Sequence, residues 1–345
     1  MTPIKRSSQE SGVVTLKAVA QYLGLTPGTV SAVLNNAPSA RSIPQETKNR
    51  IHAAAKHLNY RPNFFARTLR NKRTYTIGVI AEEIGDSYGS AIISGIEQQL
   101  RKSNYFFLTV AHRHETELLS RYSQILSERG VEGIITVDTQ VKEAPALPTV
   151  AVAGHQKLRG VTNIVLDHHR AAVLALNHFK GLNHERIAFM KGSPLSSDSG
   201  ERWAGICDVA GQIGIKIDPE LVLQVDREDA TPMLGYPLVK RLLARNLPFT
   251  AVFAYNDISA IGTIRALQEE GVRVPQDVSV MGFDDIPGVA FHMPSLTTVR
   301  QPLTHMGEVA AQSLLDRIEN KKELPAEIAI EPELVVREST GPAPG

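Results

Sequence analysis

Residues 14–34 read VTLKAVAQYLGLTPGTVSAVL, two short apolar-periodic runs broken by one glycine. Leu16, Val19, Ala20 and Leu23 fall on one helical face, behind Thr15 as N-cap, and Gly24 stands where that helix must stop. A second helix opens at once. Thr26 caps it, Pro27 suits its first turn, and Val30, Val33 and Leu34 carry its apolar side. Two helices joined by a tight glycine turn form either an ordinary helical hairpin or a helix-turn-helix, whose second helix can enter the major groove of DNA.

Charge separates the two readings. Residues 1–73 carry twelve lysines and arginines against two acids, Glu10 and Glu46, for a net +10. The whole chain is only +1, so the remainder is −9. A basic head on an acidic body points to a nucleic-acid-binding module joined to something else. Its affinity would fall steeply with salt as condensed cations are released from the phosphates.

At 345 residues the chain exceeds one core and implies two or three domains. Cys207 is the only cysteine, which excludes an intrachain disulfide and a cysteine-based metal centre. The polar start MTPIKRSSQESGVV has no secretory core, and no apolar run is long enough to span a membrane. The expectation is a cytoplasmic protein with no membrane partner and no cofactor.

A third helix is expected at about 44–59, with Ile51, Ala54, Ala55 and Leu58 inward, completing an all-α head. Pro62 ends it, and residues 63–69 (NFFARTL) form a short helix too brief to be stable alone, ordered only by DNA or a partner. From residue 76 strand-like and helical runs alternate. Strands are expected at 76–81, 105–110, 133–137, 149–152, 164–166, 186–190, 221–224, 251–254 and 279–282. Helices are expected at 91–102, 115–129, 171–181, 202–213, 234–245 and 257–270. This is βαβ organisation in two successive sets, an α/β fold with two parallel-sheet lobes. Ligands of such folds bind beyond the carboxyl ends of the strands and between lobes.

VTLKAVAQYLGLTPGTVSAVLN at the head, YRPNFFARTLR after it, TIGVI and RGVEGIIT in the body, FAYNDISAIGTIRALQEEGVRVPQDVSVMGFDD and PSLTTVRQP late in the chain together resemble the lactose-repressor (LacI) family of bacterial transcription regulators. The resemblance runs nearly the whole length. It implies a helix-turn-helix head at 1–61 and a hinge helix and linker at 62–74. The periplasmic-binding-protein-like body would divide into an N-terminal lobe with the dimer face (75–169 plus 300–329) and a C-terminal lobe (170–299 plus 330–345). It also implies a homodimer on a palindromic operator, controlled by a small hydroxylated ligand, a sugar or sugar derivative.

Residue by residue, the resemblance puts Pro27, Gly28 and Ala32 at base-reading positions. None has a side-chain donor or acceptor, so the helix is expected to make few bidentate base contacts. Thr15, Thr29, Ser31 and Asn35 can reach phosphates. Leu16, Thr26, Asn63 and Arg67 complete the expected DNA-facing set. NNAPSARSIP is about three residues longer than the common family loop, and its Arg41 is either an extra DNA contact or a solvated side chain. Leu69 matches the hinge leucine that wedges into the minor groove, with packing onto the body as the alternative. For the effector, Arg202 in ERWAGI, Asp284 in GFDD, Asn256, Asp257, Asp167 and Tyr88 match cleft positions. Asp257 is equally a helix-capping candidate, and Asp284 can simply close a turn. The chain departs from the family at Ala153, where many relatives have aspartate, and in the loop EEIGDSYGS. His155, His168 and His169 lie nearby and read as surface histidines that can still reach a ligand.

Two other classes fit the sequence less well. An enzyme is disfavoured because no GxSxG, Walker loop, HExxH or strand-linked GxGxxG occurs. A transport component lacks a reason for the basic head. The resemblance leaves open whether the effector induces or co-represses, and a non-sugar metabolite acting as co-repressor stands as the alternative.

Overall fold

The computed structural model describes residues 14–60 and 73–345, apart from 36, 114, 142, 144, 145, 156, 195 and 226–230 and the side chains of Thr116 and Ser197. Asn63, Arg67 and Leu69 of the expected hinge lie outside the described residues. The chain divides into two compact units, Met1–Arg73 and Thr74–Gly345.

In the first unit, α1 (Leu16–Leu23) starts at Thr15, whose side chain accepts from the Ala18 N–H, and ends at Gly24 with φ 67. That left-handed backbone is one glycine adopts without a Cβ clash. α2 (Pro27–Leu34) starts at Thr26, whose side chain accepts from the Thr29 N–H. The inserted loop folds as a 3₁₀ turn, Pro38–Ser42, and α3 spans Gln45–His57. Val19, Ala20, Val30, Val33, Ile51 and Ala54 are buried at their centre. Each fully buried valine or isoleucine contributes about 1.5–3 kcal/mol of transfer free energy before entropy is counted.

The second unit has two six-stranded sheets. The first is built from β1 (Thr76–Ala81), β2 (Phe106–Ala111), β3 (Ile134–Val137), β4 (Thr149–Val152), β5 (Val161–Leu166) and β11 (Glu327–Ile330), in the order β11-β5-β4-β3-β1-β2. Every neighbouring pair is parallel. Helices α4 (Ser87–Lys102), α5 (Thr116–Glu128) and α10 (Leu303–Glu319) belong to this lobe. The second sheet holds β6 (Ile187–Lys191), β7 (Val222–Gln224), β8 (Ala251–Phe253), β9 (Ser279–Asp284), β10 (Thr297–Arg300) and β12 (Glu333–Val335), in the order β12-β10-β9-β8-β6-β7. Only the β10–β12 pair is antiparallel. Helices α6 (His168–Gly181), α7 (Ser197–Ile213), α8 (Tyr236–Leu243) and α9 (Asp257–Glu269) pack on it.

The chain passes between the sheets three times, after β5, β10 and β11. Strand order reverses at β1 in one sheet and at β6 in the other, and those switch points open a crevice at the strands' carboxyl ends. Two element starts differ from the sequence reading in ways that shape the site. α7 begins at Ser197 rather than 202, and α4 at Ser87 rather than 91. Polar first turns hid both: their apolar periodicity starts a turn later. Among the described residues no helix is long and apolar enough to cross a membrane.

Candidate functional site

The head exposes Thr15, Pro27, Gly28, Asn35 and Arg41, and leaves Thr29, Ser31 and Leu16 partly covered. Thr26 and Thr29 hydroxyls lie 2.9 Å apart, and Asn35 Nδ2 donates to the Ser31 carbonyl at 2.9 Å. The first turn of α2 therefore presents small polar and apolar groups, as its sequence implies. Ala32 does not join them. It is buried in the head core with Val19, Val30 and Val33, so the base-reading role expected for it is withdrawn. Leu16 likewise turns its side chain toward that core. Arg41 sits in the last turn of the 3₁₀ segment, anchored by buried Ala40.

In the body, a cavity of about 100 Å³ is lined from both lobes. Loops after β1 and β3 supply Glu82, Glu83, Asp86 and Asp138, and the first turn of α4 supplies Tyr88. Ser196, Asp198 and Arg202 come from the start of α7, Tyr255 and Asn256 from the end of β8, and Asp284 from the last position of β9. Asp86 caps α4 by accepting from the Gly89 N–H at 3.1 Å, which sets Tyr88 in the first turn. The Tyr88 hydroxyl is buried without a hydrogen-bond partner. Burial first, then Asp198, Asp138 and Asp284, hold its pKa well above the ordinary phenol value.

Arg202 is the centre of the site. Its Nη2 donates to Asp198 Oδ2 at 2.6 Å and its Nη1 to the Tyr255 carbonyl at 2.6 Å. The guanidinium lies 3.8 Å from the Phe283 ring centroid and 4.9 Å from that of Tyr255. Its Nε is buried with no partner. Burial opposes its charge, but the Asp198 carboxylate at 2.6 Å outweighs that, and the group stays cationic. Burial alone would raise the Asp198 carboxyl; His168, His155 and Arg202 together hold it well below the usual range.

Asp284 accepts from Gln301 Nε2 at 2.6 Å. Its φ of 109° is a backbone conformation that non-glycine residues avoid, and such strain concentrates where a side chain is aimed for function. Burial pushes its carboxyl up to about 8, with Arg202 pulling down and Asp257 pushing up. Burial thus favours its protonated form, which can donate to a ligand oxygen.

Asn256 lines the cavity and also caps α9, exchanging hydrogen bonds with Ser259 at 2.9 Å each way. Two expected cleft acids have other work. Asp257 accepts from the Ile286 N–H at 2.8 Å and the Thr298 hydroxyl at 2.6 Å, tying the β9 loop to β10, and it is not part of the lining. Asp167 caps α6 through the Arg170 N–H at 2.8 Å and is likewise absent from the lining. The surface reading of the histidines holds for His169 alone. His168 is buried and His155 nearly so, and their Nε2 atoms lie 2.8 and 2.7 Å from Asp198 Oδ1. These three are the one group of metal-type donors gathered among the described residues. Sequence reasoning missed Asp198, although its i,i+4 spacing to Arg202 was a usable signal once α7 is started early enough.

A helix-turn-helix head and a two-lobed body with a ligand cleft define a bacterial transcription regulator. The chain matches the lacI family of bacterial regulatory proteins over residues 15–63 and the periplasmic binding protein-like domain over residues 176–340. It is 31% identical over 342 residues to the HTH-type transcriptional repressor PurR of Escherichia fergusonii, covering 96% of this chain and 98% of that one. The solved lac repressor dimer bound to operator and an anti-inducer superposes with a TM-score of 0.86 at 25% identity, covering 96% of this chain and all of that one. The complex of the regulator CelR with cellobiose does so at 0.68 and 26%, covering 94% and 99%. This chain therefore belongs to the LacI family: it is a DNA-binding transcription regulator of the repressor type, not an enzyme.

Proposed function

We propose that the chain represses transcription as a homodimer on a palindromic operator, and that an uncharged hydroxylated small molecule, a sugar or sugar derivative, controls it from the cleft. The observation that carries the ligand class is the state of Arg202. It is the only lining cation among the described residues, and Asp198 already neutralises it. The remaining lining is acidic, which disfavours phosphorylated or carboxylated ligands. Protonated Asp284, Asn256 and the unpaired Tyr88 hydroxyl instead suit groups that both donate and accept, as sugar hydroxyls do. Related regulators have been solved with cellobiose and with ribose. Tyr88 and Tyr255 also offer ring faces, which favours a planar heterocycle as the second reading.

The 3₁₀ turn Pro287–Phe291 and the residues after it, in the C-terminal lobe, would extend the dimer face beyond the N-terminal lobe where it was expected. Phe291 and Met293 are 88% and 85% exposed, apolar side chains that a partner would cover. The lac repressor relative is a dimer on its operator. Leu69 of the hinge is the proposed minor-groove wedge, and effector occupancy alters the pairing of two hinges by changing how the lobes close. A protein that binds an operator in chromosomal DNA would act in the cytoplasm.

A thermal-shift screen of sugars, sugar acids, phosphorylated sugars and nucleobases tests the ligand class. A ligand at a hundred times its Kd stabilises by about 2.7 kcal/mol. Stabilisation by a neutral sugar is expected, abolished in Arg202→Ala and weakened in Tyr88→Phe. Hits confined to anionic compounds, or unchanged in both variants, contradict the reading.

A further inference from the structure

We infer that His155, His168 and Asp198 form a site for one divalent metal ion of the zinc class, joining the two lobes. The three ligands come from separate elements. His155 lies on the loop after β4, His168 is the first residue of α6, and Asp198 stands in the first turn of α7. Left-handed backbone at Ala153 (φ 54) and at His155 itself (φ 49) turns that loop inward. Both imidazole Nε2 atoms converge on one carboxylate oxygen, at 2.7 and 2.8 Å, and the donor atoms all lie within 4.8 Å of one another. Two imidazole nitrogens and a carboxylate oxygen are the ligand types of open zinc sites, with a fourth position left for water. Donors around tetrahedral zinc stand roughly 3.3 Å apart, so each histidine nitrogen has to retreat from Asp198 Oδ1 by about half an ångström, while no pair in the set has to close from more than 4.8 Å.

The surroundings fit an ion in two respects. Asp198 coordinates through Oδ1 while its Oδ2 is fixed by Arg202, an outer-shell hydrogen bond that orients the carboxylate. The added positive charge faces Asp138 and Glu201 near His155. Binding displaces the protons now shared between the imidazoles and Asp198, and they pass to Nδ1 or to solvent. The Nδ1 of His168 is buried without a partner. That missing outer-shell bond weakens affinity by about 10- to 100-fold relative to a fully supported site.

The chain also carries a surface that can catch metal for unrelated reasons. Cys207 is exposed, and His169 Nε2 lies 3.1 Å from Asp208 Oδ2. The test therefore uses full-length protein with Cys207→Ser and His169→Ala, stripped with chelator and titrated with Zn2+ alone by calorimetry and equilibrium dialysis. One ion per chain is expected, with a metal-free melting curve close to that of the unaltered protein. Binding should weaken at least tenfold in His155→Gln, the mildest change, and in Asp198→Asn. Co2+ should give the visible absorption of a tetrahedral nitrogen–oxygen site, lost in His155→Gln. No retained ion, or binding that survives both substitutions, overturns the site. So does binding that disappears when Cys207 and His169 alone are replaced.

Discussion

At the level of single residues, identity was legible where chemistry depends on type alone and illegible where it depends on direction. Arg202 in ERWAGI and Asp284 in GFDD were assigned to the cleft by their match to the family's pattern, and both line the cavity. Asp257, a carboxylate like Asp284, was assigned to the same cleft, yet its two oxygens are taken by Ile286 and Thr298. Nothing in the sequence says which way that side chain points. Ala32 failed for the opposite reason: an alanine is as much at home in the head core as on a DNA-facing surface. Asp284 itself yields a test. Its folded carboxyl is raised to about 8 from the ordinary 3.8, so the folded state binds the proton more tightly than the unfolded chain does. The resulting stabilisation is complete below about pH 4 and is lost as pH rises toward 8. Asp284→Asn should remove that slope. Relative to the parent, the variant should gain at least about 1.4 kcal/mol between pH 5 and pH 8 in denaturant unfolding, the worth of one pKa unit. Parallel pH profiles would mean that Asp284 ionises normally.

Whole elements were read well where period was clear and both ends were marked. Thr15, Gly24 and Thr26 fix α1 and α2 at the sequence-expected places, because caps act through local hydrogen bonds. The start of α7 was missed since SSDSGE carries no apolar stripe; tertiary contacts, with Asp198 buried against Arg202 and His168, extend the helix there. β10, α10, β11 and β12 were read only as lobe segments implied by the family, for the partners of β11 and β12 lie far away in sequence. α10 also shows a constraint invisible to periodicity. It crosses α4 so closely that a Cβ on Gly307 would strike the Ile92 carbonyl, and one on Gly95 the Thr304 carbonyl. Gly307→Ala should therefore cost about 1–3 kcal/mol in equilibrium unfolding, the price of overpacking a tight crossing. A loss below about 0.5 kcal/mol would show that the helices part without strain.

For the molecule as a whole, the charge partition was the most informative number in the sequence, because it separates a phosphate-seeking head from a body whose cleft is acid-lined. The two units have different partners and different physics. Counterion release drives the head, while buried hydrogen bonding selects the effector in the body. The regulator works only if the second event changes the first, a coupling of about 1–3 kcal/mol in proteins of this kind. The most direct measurement is operator affinity at fixed salt, on a site selected from genomic DNA, with and without the compound that stabilises the cleft. The account predicts at least about a fivefold change in affinity for the parent protein and none for Arg202→Ala, whose operator affinity without compound stays close to the parent's. An unchanged affinity in the parent, with the compound shown to occupy the cleft, would contradict it.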